Sequence, residues 1–225
     1  MPHRAIAILS LMSAAALART EDREVAAFDA VSVASGIRAT VEIGPSRPVR
    51  VEADDEVLSL VETRVEDGTL RVGFKPHTGW SGERKVSVTV QTPRLRAIAA
   101  AGGSFVRATF AREARTSLDA SGGSELHIRG IDAEQLSVQG SGGSVLGIEG
   151  RAGALDLQLS GGTRLLARDL ATRDVTAQAS GGSQGEVRAD GRIRGSLSGG
   201  SELHVRGGAT AAIATSGGSS VEVGK

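Results

Sequence analysis

The sequence of 225 residues lacks cysteine and tyrosine, and it has only four phenylalanines and one tryptophan. Without cysteine, neither a disulfide nor thiolate chemistry is available, so packing and hydrogen bonds must hold the fold together. The scarcity of aromatic side chains beside 31 glycines points away from an ordinary layered enzyme and indicates a repeat protein.

An excess of either charge is also missing, because 26 basic residues are balanced by 26 acidic ones. Binding to nucleic acid depends on basic side chains that release counterions from the phosphate backbone. The composition therefore predicts no nucleic-acid partner.

Only one long apolar stretch occurs, in residues 5–17, and it is too short to span a bilayer. It follows Arg4 and ends in the small-x-small pattern Ala16-Leu17-Ala18, which is typical of a signal-peptidase site. The charged segment that begins at Arg19 argues against a buried N-terminal helix. The sequence predicts a signal peptide in residues 1–18 and an exported mature protein, residues 19–225, without a membrane span. Its predicted location is the periplasm, the cell surface or the extracellular medium.

The strongest signal in the chain is a Gly-Gly pair that recurs seven times at intervals of 18 to 20 residues. Each pair is followed by Ser or Thr, and six of the seven are preceded by Ser. The pairs are Gly102-Gly103, Gly122-Gly123, Gly142-Gly143, Gly161-Gly162, Gly181-Gly182, Gly199-Gly200 and Gly217-Gly218. Glycine reaches positive φ at no steric cost, so each Ser-Gly-Gly-Ser unit predicts a sharp corner.

Between corners, polar and apolar residues alternate, as they do in half-buried strands. Two short strands per interval and a corner at a fixed phase predict one turn of a coil, with Leu126, Ile128, Leu136 and Val138 inside. The predicted fold is all-β, a parallel β-helix or β-solenoid with about 18–20 residues per turn. A glycine-rich anion cradle is disfavoured because no helix pattern follows any corner, and calcium-binding glycine repeats would need an Asp at a fixed phase.

The first half is also β but lacks the regular corner. Residues 61–74 predict a hairpin around Asp67-Gly68, residues 54–60 predict one helical turn, and residues 75–84 form an irregular loop. No linker composition separates the halves. A single domain is therefore expected in residues 19–225, with residues 26–95 as opening turns or cap and residues 96–225 as regular repeats.

Short motifs in the first half resemble the bacterial head-GIN domain family, described as an auto-transporter adhesin head. The resemblance is carried by Phe28, Val31, Val33 and Ser35-Gly36-Ile37, by Val51-Glu52-Ala53-Asp54, by Glu66-Asp67-Gly68-Thr69-Leu70, and by Val86 and Val88. It covers residues 28–223, although Arg38 stands where the name would place Asn. It implies a right-handed β-helix related in shape to pectin lyases, without known catalytic residues.

Few residues suggest chemistry. Trp80, in the irregular loop, is the one candidate ligand-binding residue, because an exposed indole can stack on a sugar or anchor a partner. His127 and His204 occupy equivalent outward positions four turns apart, about 19 Å at the spacing of stacked strands, which is too far to share a metal ion. The acidic cluster Asp54-Asp55-Glu56 is typical of a solvated turn or helix N-terminus. The sequence therefore predicts no catalytic residue, no metal site and no cofactor.

The leading hypothesis is a non-enzymatic, exported adhesion or binding protein of the bacterial cell envelope. Its expected partner is an envelope or extracellular polysaccharide or another cell-surface component. One alternative is a polysaccharide-active, lyase-like enzyme, which a groove with converging carboxylates and basic groups would favour. Another is a self-associating structural protein, since the last turn near Glu222 has no evident cap and predicts a weak homo-oligomer.

Overall fold

A computed structural model describes residues 18–76 and 85–224. The predicted signal peptide, apart from Ala18, and the loop residue Trp80 lie outside the described residues. The described chain is all-β, with a single helical turn, and its strands stack into a β-solenoid of about six turns.

In the first half, the described residues form nine strands and one helical turn. They are β1 (Ala18–Arg23), β2 (Ala30–Val33), β3 (Arg38–Ile43), β4 (Val49–Asp54), α1 (Asp55–Leu58), β5 (Val61–Glu66), β6 (Thr69–Phe74), β7 (Ser87–Thr92), β8 (Ala97–Ala100) and β9 (Phe105–Thr109). The predicted hairpin is confirmed as β5 and β6, which pair antiparallel around Asp67 and Gly68, both at positive φ.

In the second half, the described residues form nine further strands, all of them paired in parallel between coils. They are β10 (Arg112–Ala120), β11 (Glu125–Gly140), β12 (Val145–Leu159), β13 (Arg164–Ala179), β14 (Gln184–Ala189), β15 (Arg192–Leu197), β16 (Glu202–Arg206), β17 (Thr210–Thr215) and β18 (Ser220–Gly224). The expectation of two short strands per turn is wrong for β11, β12 and β13, each of which runs from one corner to the next. The linking segment in these coils is itself paired, for example Asp132 with Arg151.

Each corner divides a coil into two faces. We call the strands that run into the corners the leading face: β6, β2, β8, the second halves of β10 to β13, β15 and β17. The strands that leave the corners form the trailing face: β7, β3, β9, the first halves of β11 to β13, β14, β16 and β18.

The first coils do not stack in chain order. Strand β2 lies between β6 and β8, and β3 lies between β7 and β9. The chain leaves the first coil, forms the antiparallel strands β4 and β5, and returns on the outer side before it crosses to β8. Alternation along a strand fixes which side chains face inward, but it carries no information about which strand is the neighbour.

The corner glycines have the positive φ that the sequence predicts, for example 63° at Gly142 and 77° at Gly143. Their surroundings differ. A Cβ on Gly142 would lie 3.1 Å from the backbone nitrogen of Gly122 in the preceding corner, whereas a Cβ on Gly143 would meet nothing within 4 Å. The sequence pattern does not distinguish the two glycines, and from the sequence alone a side chain at Gly143 is expected to clash in the stack. The structure shows that this expectation is wrong. An added Cβ would therefore crowd the neighbouring corner at the first glycine of each pair and not at the second, although second glycines also hydrogen-bond to the next corner, as the Gly103 N–H does to the Gly122 carbonyl at 3.0 Å.

The residue that follows each Gly-Gly pair points inward and is buried in six consecutive corners. These residues are Ser104, Ser124, Ser144, Thr163, Ser183 and Ser201. Each hydroxyl donates a hydrogen bond to the carbonyl three residues earlier, as Ser183 does to Ser180 at 2.8 Å. The corner therefore satisfies its buried polar groups locally.

The core is a continuous aliphatic column between the two faces. The predicted inward residues Leu126, Ile128, Leu136 and Val138 are all buried. At the far end of the stack, β17 and β18 pair only with β15 and β16 among the described residues, and Val223 is 48% exposed. Weak self-association through this edge stays a prediction.

Candidate binding face

Outward side chains on the leading face form two rows in register. The first, the glutamine row, consists of Asp119, Gln139, Gln158, Gln178 and Ser196 on five successive coils. These side chains point outward because the residues on either side of them, such as Leu157 and Leu159, are buried in the core. Neighbouring side chains of the row are therefore one strand spacing apart, about 4.8 Å.

The second row, the hydroxyl row, lies two residues earlier on the same strands. It consists of Ser117, Ser137, Asp156, Thr176 and Arg194, again in register. The two rows together give each coil a pair of outward polar groups, repeated at the coil spacing. Such a surface presents donors and acceptors to an extended ligand at regular intervals.

The leading face is bordered by an open groove of about 1310 Å³, where the chain bends between the linking segment and the face. Gly153 and Ala154 leave room at its floor, and the hydroxyl row forms one wall. The groove crosses five coils, which is about 19 Å at the strand spacing. A smaller depression of about 390 Å³ follows the glutamine row itself.

Several of the charged groups along the groove are paired, although Glu134 and Asp156 form no ion pair in the described part of the chain. Arg94 donates two hydrogen bonds of 2.8 Å to Glu113, one to each carboxylate oxygen, and this contact lowers the pKa of Glu113. At Asp174, partial desolvation opposes the hydrogen bonds from the Arg192 backbone and the Arg173 side chain, and the net effect lowers the pKa of Asp174. Both carboxylates are thus held ionised by cations.

One carboxyl group on this face is shifted in the other direction. Partial burial raises the pKa of Asp119. Its neighbours in register are Ala99 and Gln139, so no second carboxylate lies beside it. A glycosidase needs two carboxyl groups that flank the scissile bond, and the geometry at Asp119 provides one.

The residues singled out in the sequence lie elsewhere. His127 and His204 are exposed on the trailing face, four coils apart, where their rings contact Glu125 and Glu222 respectively. The two histidine rings do not meet. No group of three or more His, Asp or Glu side chains in residues 18–76 and 85–224 is arranged to hold a metal ion.

The acidic cluster Asp54-Asp55-Glu56 lies at a helix N-terminus, one of the two positions that the sequence predicts for it. Asp54 ends β4, and Asp55 and Glu56 lie in the first turn of α1, where carboxylates favour the positive end of a helix. Asp55 forms an exposed ion pair of 3.5 Å with Arg19.

The sequence analysis did not predict the glutamine row, although the sequence contains a signal for it. Gln139, Gln158 and Gln178 each stand two residues before the serine of a Ser-Gly-Gly corner. Since the corner fixes the phase of every coil, any residue type repeated at a constant offset from it must form a row on the surface.

The stacked coils, the glycine corners and the polar outer face define a β-solenoid with a repetitive polar surface. The chain belongs to the family described as "Putative auto-transporter adhesin, head GIN domain", whose model matches residues 27–209. The family resemblance and the β-solenoid fold predicted from the sequence are therefore confirmed. No curated protein matches the chain.

Solved structures with the same fold are similar over almost their whole length. A putative adhesin from Bacteroides fragilis NCTC 9343 has a TM-score of 0.85 at 18% identity, covering 93% of this chain and 98% of its own. A putative lipid binding protein from Parabacteroides distasonis ATCC 8503 has a TM-score of 0.74 at 14% identity, covering 92% and 97%. A putative adhesin from Parabacteroides merdae ATCC 43184 has a TM-score of 0.76 at 16% identity, covering 92% and 96%. At identities this low, the structural similarity establishes a shared fold and nothing more.

In the part of the chain that the structure describes, no helix is both long and apolar enough to cross a membrane.

Proposed function

We propose that this chain is a non-enzymatic adhesion protein of the bacterial cell envelope that binds an extended polysaccharide along its leading face. The glutamine row is the observation that carries this proposal. Its three amides are exposed, and none has a hydrogen-bond partner in the described part of the chain. A free amide both donates and accepts, and thus matches the hydroxyl groups of a sugar.

The repetition of the row suits a polymer better than a small ligand. Successive coils present the same amide at about 4.8 Å intervals, so successive units of an extended chain meet equivalent partners. Each contact is weak on its own, and affinity then comes from several contacts made at once, as in multivalent binding. An adhesin works in this way when it holds a repetitive surface.

The enzymatic alternative is less well supported. A groove with both carboxylates and cations is present, as a lyase-like enzyme would require, but Arg94 holds Glu113 ionised and lowers its pKa. A general acid needs a raised pKa, and a base needs freedom to accept a proton. The name of the Parabacteroides distasonis neighbour suggests a lipid as another ligand. Both rows of the leading face consist of polar side chains, which do not favour an apolar ligand.

Replacing the three exposed glutamines tests the proposal. In the variant with Gln139→Ala, Gln158→Ala and Gln178→Ala, we expect affinity for the recognised polysaccharide to fall by about tenfold or more, because each of the three lost neutral hydrogen bonds contributes about 0.5–1 kcal/mol. The mature protein is screened on an array of envelope and extracellular polysaccharides, and the affinity of the variant is measured for each polymer that binds.

Gln184→Ala is the matched control, because Gln184 is an exposed glutamine on the trailing face. We expect it to bind as the wild type does. Equal binding by the triple variant and the wild type would contradict the proposal. So would retention on phosphatidylcholine vesicles in place of any polysaccharide, or turnover of a bound polymer.

Export is part of the proposal and has a separate test. Cleavage after Ala18 should yield a mature protein that begins at Arg19 and is recovered from the periplasm or the medium. N-terminal sequencing of the protein from fractionated cells checks this expectation. An intact N-terminus in the cytoplasmic fraction would refute export.

A further inference from the structure

Phe105 lies on the outer side of the trailing face. It is half-buried at the start of β9, between the buried residues Ser104 and Val106, so alternation directs its ring away from the core. The other phenylalanines differ, since Phe110 is buried and Phe28 and Phe74 pack against the core. Phe105 is thus the outward phenylalanine of the described residues.

Two arginines hold their guanidinium groups against this ring. Arg38 is the register partner of Phe105 on β3, and Arg107 follows it by two residues on the same side of β9. The guanidinium carbon of each lies 5.1 Å from the ring centroid. Stacking on an aromatic ring restricts a guanidinium group and orients its hydrogen-bond donors.

Neither arginine forms an ion pair with a carboxylate in the described part of the chain. Other arginines of the same face do, namely Arg129 with Glu149 and Arg168 with Glu186. Two cations gathered around one ring, neither of them in an ion pair, give a locally positive spot. An oxyanion placed between them would gain from both charges.

The surroundings leave space for more than an isolated ion. An open groove of about 540 Å³ leads from Thr40 and Arg107 past His127, whose ring lies 5.2 Å from that of Phe105. Gly147 follows His127 in register and carries no side chain, so the floor of the groove stays low. Thr40 and Arg107 both line this groove, so a hydroxyl and a guanidinium group face the same space.

Carboxylates of the protein lie near but do not fill this spot. Glu125 is the register neighbour of Phe105 on β11, and its carboxylate contacts the ring of His127. Glu42 also lines the groove, but it stands four residues along β3 from Arg38, about 13 Å at the rise of a strand. Neither makes an ion pair with Arg38 or Arg107 among the described residues.

We propose that Arg38, Phe105 and Arg107 form a second binding site, which takes the carboxylate or sulfate group of an acidic polysaccharide. The two guanidinium groups donate to the oxyanion, and Phe105 positions them. The site lies on the opposite face from the glutamine row. The proposal for this site therefore does not depend on the function proposed for that row.

The test uses three soluble polymers with the mature protein: polygalacturonate as the carboxylate, dextran sulfate as the sulfate, and dextran as the neutral control. Relative to wild type, we expect the double variant Arg38→Gln with Arg107→Gln to bind an acidic polymer about tenfold more weakly, because it loses the charge-assisted hydrogen bonds to the oxyanion. Phe105→Leu keeps both charges but removes the stacking, so we expect a smaller loss. The polymer that shows these losses identifies the group recognised.

The matched control is Arg188→Gln with Arg206→Gln, which removes the same charge from the same face at two exposed arginines that are neighbours in register and lie outside the groove. We expect it to change affinity by less than about threefold, as for rim charges. Equal losses from the two double variants would show diffuse electrostatic attraction and overturn the site. Unchanged binding in the Arg38 and Arg107 variant, or wild-type binding to neither acidic polymer, would overturn it as well. The triple glutamine variant should retain binding to the acidic polymer, which separates this site from the leading face.

Discussion

Replacing Gly142 by valine should lower the free energy of unfolding by about 2–5 kcal/mol. Two costs add at this position. A β-branched residue is strained at a φ of 63°, and its Cβ would lie 3.1 Å from the backbone nitrogen of Gly122, which the parallel ladder holds in place. Chemical denaturation of wild type and variant, followed by far-UV circular dichroism, measures the loss.

Gly143→Val separates the two costs. Its φ of 77° imposes the same backbone strain, but a Cβ there meets nothing within 4 Å. We expect a loss of about 1–2 kcal/mol, at least about 1 kcal/mol less than at Gly142. His127→Ala, an exposed substitution, should change stability by less than about 0.5 kcal/mol. Equal losses at Gly142 and Gly143 would mean that the corners do not stack in contact.

Replacing Ser183 by alanine should lower the free energy of unfolding by about 1–3 kcal/mol, the cost of a buried polar group that loses its partner. The Ser183 side chain is 0% exposed, and its hydroxyl donates to the Ser180 carbonyl at 2.8 Å. The methyl group of alanine fits the same space but donates nothing, so the carbonyl of the corner is left without this hydrogen bond. The same denaturant titration measures the effect.

Ser117→Ala is the control for this substitution, because Ser117 lies on the exposed side of the leading face. We expect a change below about 0.5 kcal/mol, as for other surface sites. A loss at Ser117 as large as that at Ser183 would show that the inward hydroxyls of the corners contribute no more than any other serine.

These two predictions concern the feature that the sequence displayed most clearly. The Ser-Gly-Gly-Ser unit identified the corner, its spacing and the inward direction of neighbouring residues such as Leu126 and Val138. Only the structure showed that a side chain is sterically excluded at Gly142 and not at Gly143, because the atoms in question belong to Gly122, one coil away. Contacts between coils join residues about 20 positions apart, and a local pattern cannot specify them.

The candidate sites divide in the same way. The glutamine row has a repeat in the sequence, so its residues could have been found by their constant offset from the corners. The site around Phe105 has no such signal, since Arg38 reaches the ring only because β3 and β9 become neighbours. That pairing depends on the non-sequential stacking of the first coils.

The sequence by itself determined the all-β class, the coil length, the corner chemistry and the inward and outward sides of each strand. It could do so because glycine φ angles and the two-residue alternation of strands are local properties. The tertiary structure decided the order of the first coils, the length of β11 to β13 and the approach of Arg38 to Phe105. Strand pairing is made by backbone groups that every residue carries, so the choice of neighbour rests on the packing of the whole stack.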